Sequence, residues 1–472
     1  MAVAAIVDQQ GRRAERGPAD GLGDLAAFRQ RWYGCLGRRA DALFELTDAL
    51  LCAPGPVGSL PQLSLEPAFR RGWGSLYGAL ACGSVDVEAT RDLLAAVRPR
   101  GWPLVFAIDQ TSWPRCDAET SPQRGIYYHP SRHSAGQPVV AGWCYQWACQ
   151  LGWDHDSWTA PVDARRIRPA VDPAAATVAQ VAALLGRLGA TPQVPLLVFD
   201  AGYDPVALTV DLAELRAAVL VRIRSDRVFY ADPPQRPPGT TGRPRKHGQR
   251  FACQDPATWP APVAALATTD DQYGQVVVQA WSGLHPKLGR RGRWAAAVVP
   301  PVVRGTVIRV QVSRLPKPSG PVKVLWLWWA GPGRPDLDVV WRAYVRRFDV
   351  EHTLRFCKQA LGWVTPRVRH PEQADRWTWA VIAASTQLRL ARHAVADLRL
   401  PWERRLGPGR LTPTRVRRGF RRLHATLPVV TGAPKPCGRG PGRPRGSCRG
   451  PARRYPAVKK NGELVVPNKQ AG

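Results

Sequence analysis

The segment that decides the fold runs from Val171 to Asp204 and reads VDPAAATVAQVAALLGRLGATPQVPLLVFDAGYD. Its first part predicts a helix, because apolar residues recur at helical spacing between Pro173 near the start and Gly189 near the end. Its second part, VPLLVFD, predicts a buried strand that ends in Asp200. A helix that leads directly into a buried strand is typical of an α/β sheet.

A second apolar run, WPLVFAID, predicts another buried strand, which ends in Asp109 and is followed by a turn at QTSWPR. A longer segment that alternates in strand fashion follows, so we expect a mixed sheet. Functional groups often cluster where the strands of such a sheet end, which makes Asp109 and Asp200 a candidate pair. Taken singly, each aspartate is equally typical of an ordinary turn or helix cap.

The stretch YVRRFDVEHTLRFCK, from Tyr344 to Lys358, predicts a helix with polar groups on one stripe. At about 100° per residue, Tyr344, Arg347, Glu351 and Lys358 fall within an arc of roughly 60°. A hydroxyl, a guanidinium, a carboxylate and an ammonium group on one stripe are costly on a core face. They suit a surface that holds a metal ion and a phosphate backbone together.

The composition indicates a polyanionic partner. The chain has 472 residues, a formal net charge of +31 and a pI near 10.8, which points to nucleic acid. A GC-rich genome, which inflates arginine, explains part of this excess. The ten cysteines form no CxxC pair, so we expect reduced thiols rather than disulfides or zinc. Neither a GxSxG elbow nor a P-loop occurs, so serine hydrolases and ATP-dependent enzymes are not indicated.

The texture of the sequence predicts five regions. These are a helical, DNA-binding region at 1–98, a first part of an α/β core at 99–225, a β-rich insertion at 226–325, a second part of the core at 326–398, and a basic helix with a disordered tail at 399–472. The alternative for the helical region is a packing cap on the core. Because no apolar run has the length of a signal peptide or membrane span, we expect a soluble, intracellular protein.

Three motifs together resemble the DDE transposases of the insertion-sequence kind, with the YREK signature. They are FAIDQTSW, VFDAGYD and YVRRFDVEHTLRFCKQALGW, and the resemblance covers roughly residues 100–395. It implies a ribonuclease-H-like core with a β-rich insertion. It also implies that Asp109, Asp200 and Glu351 bind two Mg²⁺ ions, for which Mn²⁺ can substitute, about 3.5–4 Å apart.

The same resemblance implies several DNA contacts. Tyr344, Arg347 and Lys358 would grip phosphates that flank the scissile bond. One tryptophan of the segment LWLWW would stack on a flipped base; the candidates are Trp326, Trp328 and Trp329. The alternative is that this segment is simply a core strand.

Two short basic segments also resemble minor-groove hooks. They are Gly242–Lys246, with Arg243, Arg245 and Lys246 as the cations, and Gly442–Gly446. An extended Arg-Pro-Arg sequence fits a narrow A·T minor groove. Plain electrostatic binding to phosphates is the alternative for both segments.

The resulting expectation is a bacterial, cytoplasmic and nucleoid-associated transposase. It would cleave double-stranded DNA at transposon ends and join them to target DNA, as a dimer in the complex with both ends, and it would have no membrane partner. Two alternatives remain open at this point. One is a metal-dependent nuclease of the same fold without strand transfer, and the other is a non-catalytic DNA-binding protein derived from a transposase.

Overall fold

The computed structural model describes residues 18–129, 137–154, 156–239, 241–315, 324–407, 409–435, 446–447 and 450–459. In these ranges the helices are α1 (Pro18–Gly34), α2 (Ala40–Cys52), α3 (Leu60–Leu63), α4 (Trp73–Cys82), α5 (Val87–Ala96), α6 (Pro173–Leu188), α7 (Pro205–Asp211), α8 (Leu337–Arg346), α9 (Phe348–Gln359), α10 (Pro371–Ala391) and α11 (Pro413–His424). The strands are β1 (Val105–Pro114), β2 (Gly125–Tyr128), β3 (Val139–Leu151), β4 (Thr159–Ile167), β5 (Leu196–Phe199), β6 (Ala218–Ile223), β7 (Val228–Tyr230), β8 (Arg250–Ala252), β9 (Ala264–Asp270), β10 (Gly274–Leu284), β11 (Gly305–Val312) and β12 (Val324–Ala330).

A ten-stranded mixed sheet organises the molecule and confirms the α/β class. Nine strands follow the order β2-β3-β1-β5-β6-β12-β11-β10-β9, and β4 pairs with β3. The neighbours β1, β5 and β6 are parallel, and the other pairings are antiparallel. The predicted helix at 173–188 and the strand at 196–199 are both present as α6 and β5. Asp172 caps α6 by accepting hydrogen bonds from two backbone N–H groups.

Strand β1 is longer than the sequence predicts. The expected turn after Asp109 is wrong, because β1 continues to Pro114 and pairs with β3 from Phe106↔Gln150 to Pro114↔Gly142. The thirteen-residue β3 offers an antiparallel partner to each of these residues. Asp109 therefore lies in the middle of a strand, where the parallel neighbour β5 ends and β3 goes on.

The segment predicted as a β-rich insertion extends the central sheet. Strand β12 pairs with β6 on one side and β11 on the other, and β10 and β9 follow at the edge. The predicted strand RWAAAVVPPVV at 293–303 is wrong. A short 3₁₀ turn, Gly292–Trp294, stands at its start, and Pro300 and Pro301 have no N–H to donate to a ladder.

The helices at the two ends of the chain pack on one another. Helices α1 and α2 contact α10, and α11 contacts both α2 and α10. A buried polar network joins them: Arg29 donates to Asp48 at 2.6 Å and to Gln387 at 2.8 Å, and His424 lies 3.2 Å from Asp48. The first and last regions therefore share one core with the middle of the chain. Among the described helices, none is long and apolar enough to span a membrane.

The basic helix α11 uses much of its charge inside the protein. Arg415 and Arg418 pair with acidic groups at Asp397 and Glu403, and Arg417 donates to two backbone carbonyls near the end of α2. Two arginines of this helix, Arg421 and Arg422, are exposed. Helix α11 thus serves mainly to pack against the core. Of the basic surface that was predicted to bind DNA, this helix leaves two exposed arginines.

Part of the C-terminal tail is ordered against the sheet. The segment 450–459 returns to β2, where the N–H of Val458 donates to the carbonyl of Arg124 and the N–H of Ile126 donates to Val458. Arg124 also donates to the carbonyl of Tyr455 at 2.7 Å. This docking contradicts the expected disorder for these ten residues. The second basic hook, at 442–446, lies outside the described residues except for its last glycine.

We predict that Asp48→Asn destabilises the protein by about 3–5 kcal/mol, because it leaves the buried Arg29 guanidinium without its counterion. Urea unfolding at pH 7 measures the free energy of unfolding. Glu88→Gln is the control: Glu88 is an exposed partner of Arg91 and Arg187, and its loss should cost less than about 1 kcal/mol. Equal losses in the two variants would contradict the role given to the buried network.

Candidate active site

Asp109 and Asp200 occupy matched positions on neighbouring parallel strands. The last paired residues of β1 and β5 are Ala107 and Val198. Asp109 follows Ala107 by two residues, and Asp200 follows Val198 by two residues. The carboxylate of Asp109 accepts a hydrogen bond from its neighbour's N–H at 2.9 Å, and that of Asp200 accepts from the N–H of Gly202 at 2.9 Å. A Cβ at Gly202 would lie 3.1 Å from Asp200 Oδ1, so glycine leaves room for this turn.

Arg347 connects the first aspartate with the candidate glutamate. Its guanidinium lies 3.0 Å from Glu351 and 3.7 Å from Asp109, and the residue is only 4% exposed. The predicted continuous helix is interrupted here, since α8 ends before Arg347 and α9 begins after it. Its backbone keeps right-handed helical angles, so Arg347 is a one-residue interruption between the two helices.

The electrostatics of the site follow from this arrangement. Burial raises the pKa of Asp109 to about 6; Arg347 opposes the shift, and the charges of Asp200 and Glu351 add to it. Burial would lower the pKa of Arg347, but Tyr344 and the acidic side chains raise it. The acids thus repel one another, and one buried guanidinium offsets much of that repulsion.

Lys358 lies beside β1, close to Asp109. Its Nζ donates to Thr111 Oγ1 at 2.5 Å, and Thr111 points to the same face of β1 as Asp109 because side chains alternate along a strand. Burial lowers the pKa of Lys358, and Asp109 raises it. The structure therefore brings together four of the predicted residues, namely Asp109, Arg347, Glu351 and Lys358, with Asp200 next to them.

Tyr344 is a correction to the predicted phosphate contacts. It is fully buried in the main core, with its ring edge-on to Phe348, so it anchors α8 rather than facing solvent. Its hydroxyl makes no hydrogen bond within the described part of the chain, although Arg347 and Arg222 are close enough to lower its pKa against the effect of burial. Tyr344 therefore supports the site through core packing rather than through contact with a ligand.

The tryptophans of LWLWW are a second correction. Trp326, Trp328 and Trp329 are 4%, 0% and 7% exposed. Trp328 stacks on Phe229 with ring centroids 5.5 Å apart, and its indole N–H donates to Thr209. Because all three rings belong to the central strand β12, none offers a face to a nucleotide base. This arrangement corresponds to the alternative of a core strand.

The first basic hook lies on an exposed loop between β7 and β8. Arg243 and Arg245 are exposed, and Lys246 donates to the carbonyl of Pro300. Gly242 has a positive φ of 94°, which glycine adopts without strain. The two arginines are accessible to a partner, and they do not contact the acidic residues.

One buried network near the site was missed from the sequence. Gln146 on β3 is 0% exposed, and its Oε1 accepts hydrogen bonds from Gln110 at 2.9 Å, Thr177 at 3.1 Å and Tyr203 at 2.9 Å. These bonds fix the turn that carries Asp200 against the strand that carries Asp109. The feature of the sequence that could have revealed this network is Gln146, a polar residue inside the apolar run WCYQWACQL.

The donor atoms fit a hard divalent cation, although the side chains form no closed cluster. Asp109, Asp200 and Glu351 offer only carboxylate oxygens, which Mg²⁺ prefers. Among the residues that the structure describes, no three acidic, histidine or cysteine side chains stand close enough to hold one ion. Arg347 occupies the space between Asp109 and Glu351.

The comparison with protein families decides what the chain is. The family model described as DDE superfamily endonuclease matches residues 31–287, more than half of the chain. The chain belongs to the DDE superfamily of endonucleases. The matched range contains Asp109 and Asp200 and ends before the YREK residues. This membership implies DNA as the substrate and a nuclease-like or transposase-like enzyme, and such endonucleases generally use divalent metal ions. A search of curated proteins found no match.

We predict that Asp109→Asn makes the metal-free DDE endonuclease more stable at pH 7. The pKa of Asp109 in the folded state lies above its usual 3.8, so the folded state binds more protons between pH 4 and 6. Ionising the aspartate therefore lowers stability as pH rises through that window. Asparagine avoids this penalty and should add about 1–3 kcal/mol at pH 7.

Urea unfolding in chelator at pH 7 and at pH 3.5 measures this difference. The two proteins should approach one another at the lower pH, where Asp109 is mostly protonated in both states. A variant that is less stable than the wild type at pH 7 would show that the ion pair with Arg347 outweighs burial.

Proposed function

We propose that this DDE endonuclease is a transposase that cuts DNA at the ends of its own element and joins the freed 3′-hydroxyls to a target. The observation that carries the proposal is the juxtaposition of Asp109 and Asp200 on parallel strands, with the Arg347–Glu351 pair facing Asp109. The strand order β4-β3-β1-β5-β6, in which only β3 is antiparallel, supports a ribonuclease-H-like core.

Asp109, Asp200 and Glu351 would be the residues that hold Mg²⁺, as two ions, with Mn²⁺ as a substitute. Such ions activate an attacking water or 3′-hydroxyl and stabilise the leaving oxygen. The remaining polar residues act on the substrate and the acids. Lys358 contacts a phosphate near the scissile bond, and Arg347 keeps the carboxylates together and ionised.

The DNA contacts lie on exposed cations. Arg243 and Arg245 bind the backbone or the minor groove from their loop, and Arg421 and Arg422 extend the surface from α11. Lys246 completes the loop, where its contact with the carbonyl of Pro300 orders the hook. We propose double-stranded transposon ends and target DNA as partners, a dimer in the complex that pairs two ends, and a bacterial, nucleoid-associated location.

Two other functions fit the same family. A nuclease without strand transfer would use the same acids with water as the nucleophile throughout. A non-catalytic DNA-binding descendant would have no need of three acids, and their retention speaks against it. A strand-transfer assay with pre-cut ends and a target plasmid separates the first alternative from the transposase, because only the transposase yields joined products.

We predict that Glu351→Gln abolishes metal-dependent cleavage of the DNA that flanks this gene, by more than about 100-fold, while DNA affinity is retained. The amide removes a charged ligand without changing the size of the side chain. Cleavage of end-labelled DNA in Mg²⁺ measures the rate, and Glu372→Gln, on the first turn of α10, is the exposed-glutamate control. Persistent cleavage in Glu351→Gln would remove this residue from the ligand set.

We predict that Lys358→Ala weakens DNA binding and reduces the slope of log affinity against log salt by about one. The reason is the loss of one cation–phosphate contact. Thr111→Val is the matched control, because it breaks the 2.5 Å hydrogen bond to Lys358 and keeps the charge. Fluorescence anisotropy over a salt series measures both slopes, and an unchanged slope in Lys358→Ala would exclude the phosphate contact.

A further inference from the structure

A pocket of about 360 Å³ lies at the far end of β1, away from the acids. It is formed by the loop after β1, with Arg115, Cys116 and Asp117, and by the loop after α9, which contributes Arg367. Neither the family match nor the proposed ligand set explains this pocket, and it is lined by more cations than anions.

The charge of the pocket is poorly compensated by the protein. Arg115 is only 6% exposed and donates to the carbonyl of Val368, while its Nε has no hydrogen-bond partner among the described residues. That Nε instead faces the carboxylate of Asp117 at 3.6 Å, an ion-pair distance longer than a hydrogen bond, and Asp117 is more than half exposed. Arg367 is exposed and makes no ion pair in the described part of the chain. The Nε of Arg115 therefore has a counterion but no close hydrogen bond, and a ligand oxygen in the pocket would supply that bond.

The surroundings strengthen the positive potential. Arg124 is buried next to the pocket and gives its N–H groups to backbone carbonyls rather than to a carboxylate. The next acid along the loop, Glu119, already pairs with Arg454 at 3.2 Å. Burial lowers the pKa of Arg115, the carboxylate of Asp117 raises it, and the guanidinium groups of Arg124 and Arg367 lower it further, although an arginine stays charged. An anion would relieve this repulsion.

The pocket lies at one end of a row of contacts that begins at Asp109. Four successive contacts hold β1 beside the chain from α8 to residue 368: Asp109 with Arg347 at 3.7 Å, Thr111 with Lys358 at 2.5 Å, Trp113 with Trp363 at 5.9 Å between ring centroids, and Arg115 with the carbonyl of Val368. Asp109, Thr111 and Trp113 share one face of β1, and Arg115 directly follows the last residue of the strand. Six residues of strand span about 20 Å, or about six base pairs along a duplex.

We propose that this pocket binds a backbone phosphate of the DNA whose scissile bond lies at the acids, with Arg115 and Arg367 as its two cationic contacts. Guanidinium groups bind phosphate oxygens in a bidentate manner, and the exposed Asp117 can turn away. The inference rests on the proposed function, because that function identifies the anion as DNA. It adds a contact about six base pairs from the reaction, which fixes the direction of the bound strand.

The pocket contains its own reporter. Cys116 is exposed within it, and Cys82, also exposed, lies at the end of α4 and is an in-chain reference. We would alkylate the full chain in the presence and absence of a 30-base-pair duplex and quantify each cysteine by mass spectrometry. A duplex at ten times its Kd should slow alkylation of Cys116 by about tenfold and leave Cys82 unchanged. Inorganic phosphate at the same phosphate concentration should protect neither cysteine.

Arg367→Gln tests the cation without disturbing the buried Arg115. It should lower the salt slope of duplex binding by about one and remove most of the protection of Cys116. Arg369→Gln is the matched control: it lies two residues away, is exposed, and donates to the carbonyl of Thr120 outside the pocket. The control variant should keep both the slope and the protection.

The outcomes separate the two proposals. Duplex binding with unprotected Cys116 and an unchanged slope in Arg367→Gln would overturn the pocket and leave the transposase standing. Protection by inorganic phosphate alone would also overturn it, because the pocket would then hold a small anion rather than DNA. Absence of duplex binding by the wild-type chain at low salt would overturn both.

Discussion

The buried guanidinium of Arg347 is the constraint on which the site depends. Two or three carboxylates in a partly buried crevice repel one another, and at 4 Å each pair of like charges costs about 4 kcal/mol at an effective dielectric constant of 20. Arg347 contacts two of the acids from a position that is almost fully buried.

Aromatic packing holds that cation in place. Trp363, in the loop after α9, touches Trp113 of β1 and Tyr145 and Trp147 of β3 with ring centroids between 5.2 and 5.9 Å. Its indole N–H donates to Thr378 of α10. At the other end, the buried Tyr344 anchors α8. The polar residues of the site lie between these anchors, so the helix cannot slide along the strand without opening the core.

The sequence predicted the strands and helices that carry the site residues better than it predicted which aromatic side chains are buried around them. The strand end at Asp200, the helix α6 and the grouping of Arg347, Glu351 and Lys358 could be predicted because strand and helix periods place side chains on known faces. Asp109 was predicted at a strand end but lies within β1. Tyr344 and the tryptophans of β12 were misjudged for one reason. Amphipathic aromatic side chains suit both a core and a ligand surface, and only the neighbouring strands decide between them. Strand β9 was not predicted because three of its seven residues are alanine and the last is aspartate, both of which are depleted in strands.

The acids alone do not distinguish a nuclease from a transposase, because the same metal-bound carboxylates can activate water or a 3′-hydroxyl. What differs is how long the cleaved end stays in place after the first cut. A single contact at Lys358 would leave the cleaved strand free to rotate about that point. A second cationic contact beyond the end of β1, about 20 Å from Asp109, would define an axis for the bound DNA, and a terminus held along an axis stays near the acids. On the proposed function, the choice between hydrolysis and joining would therefore depend on residues remote from the reacting atoms, and the row of contacts from Asp109 to Arg115 would be where this chain offers them.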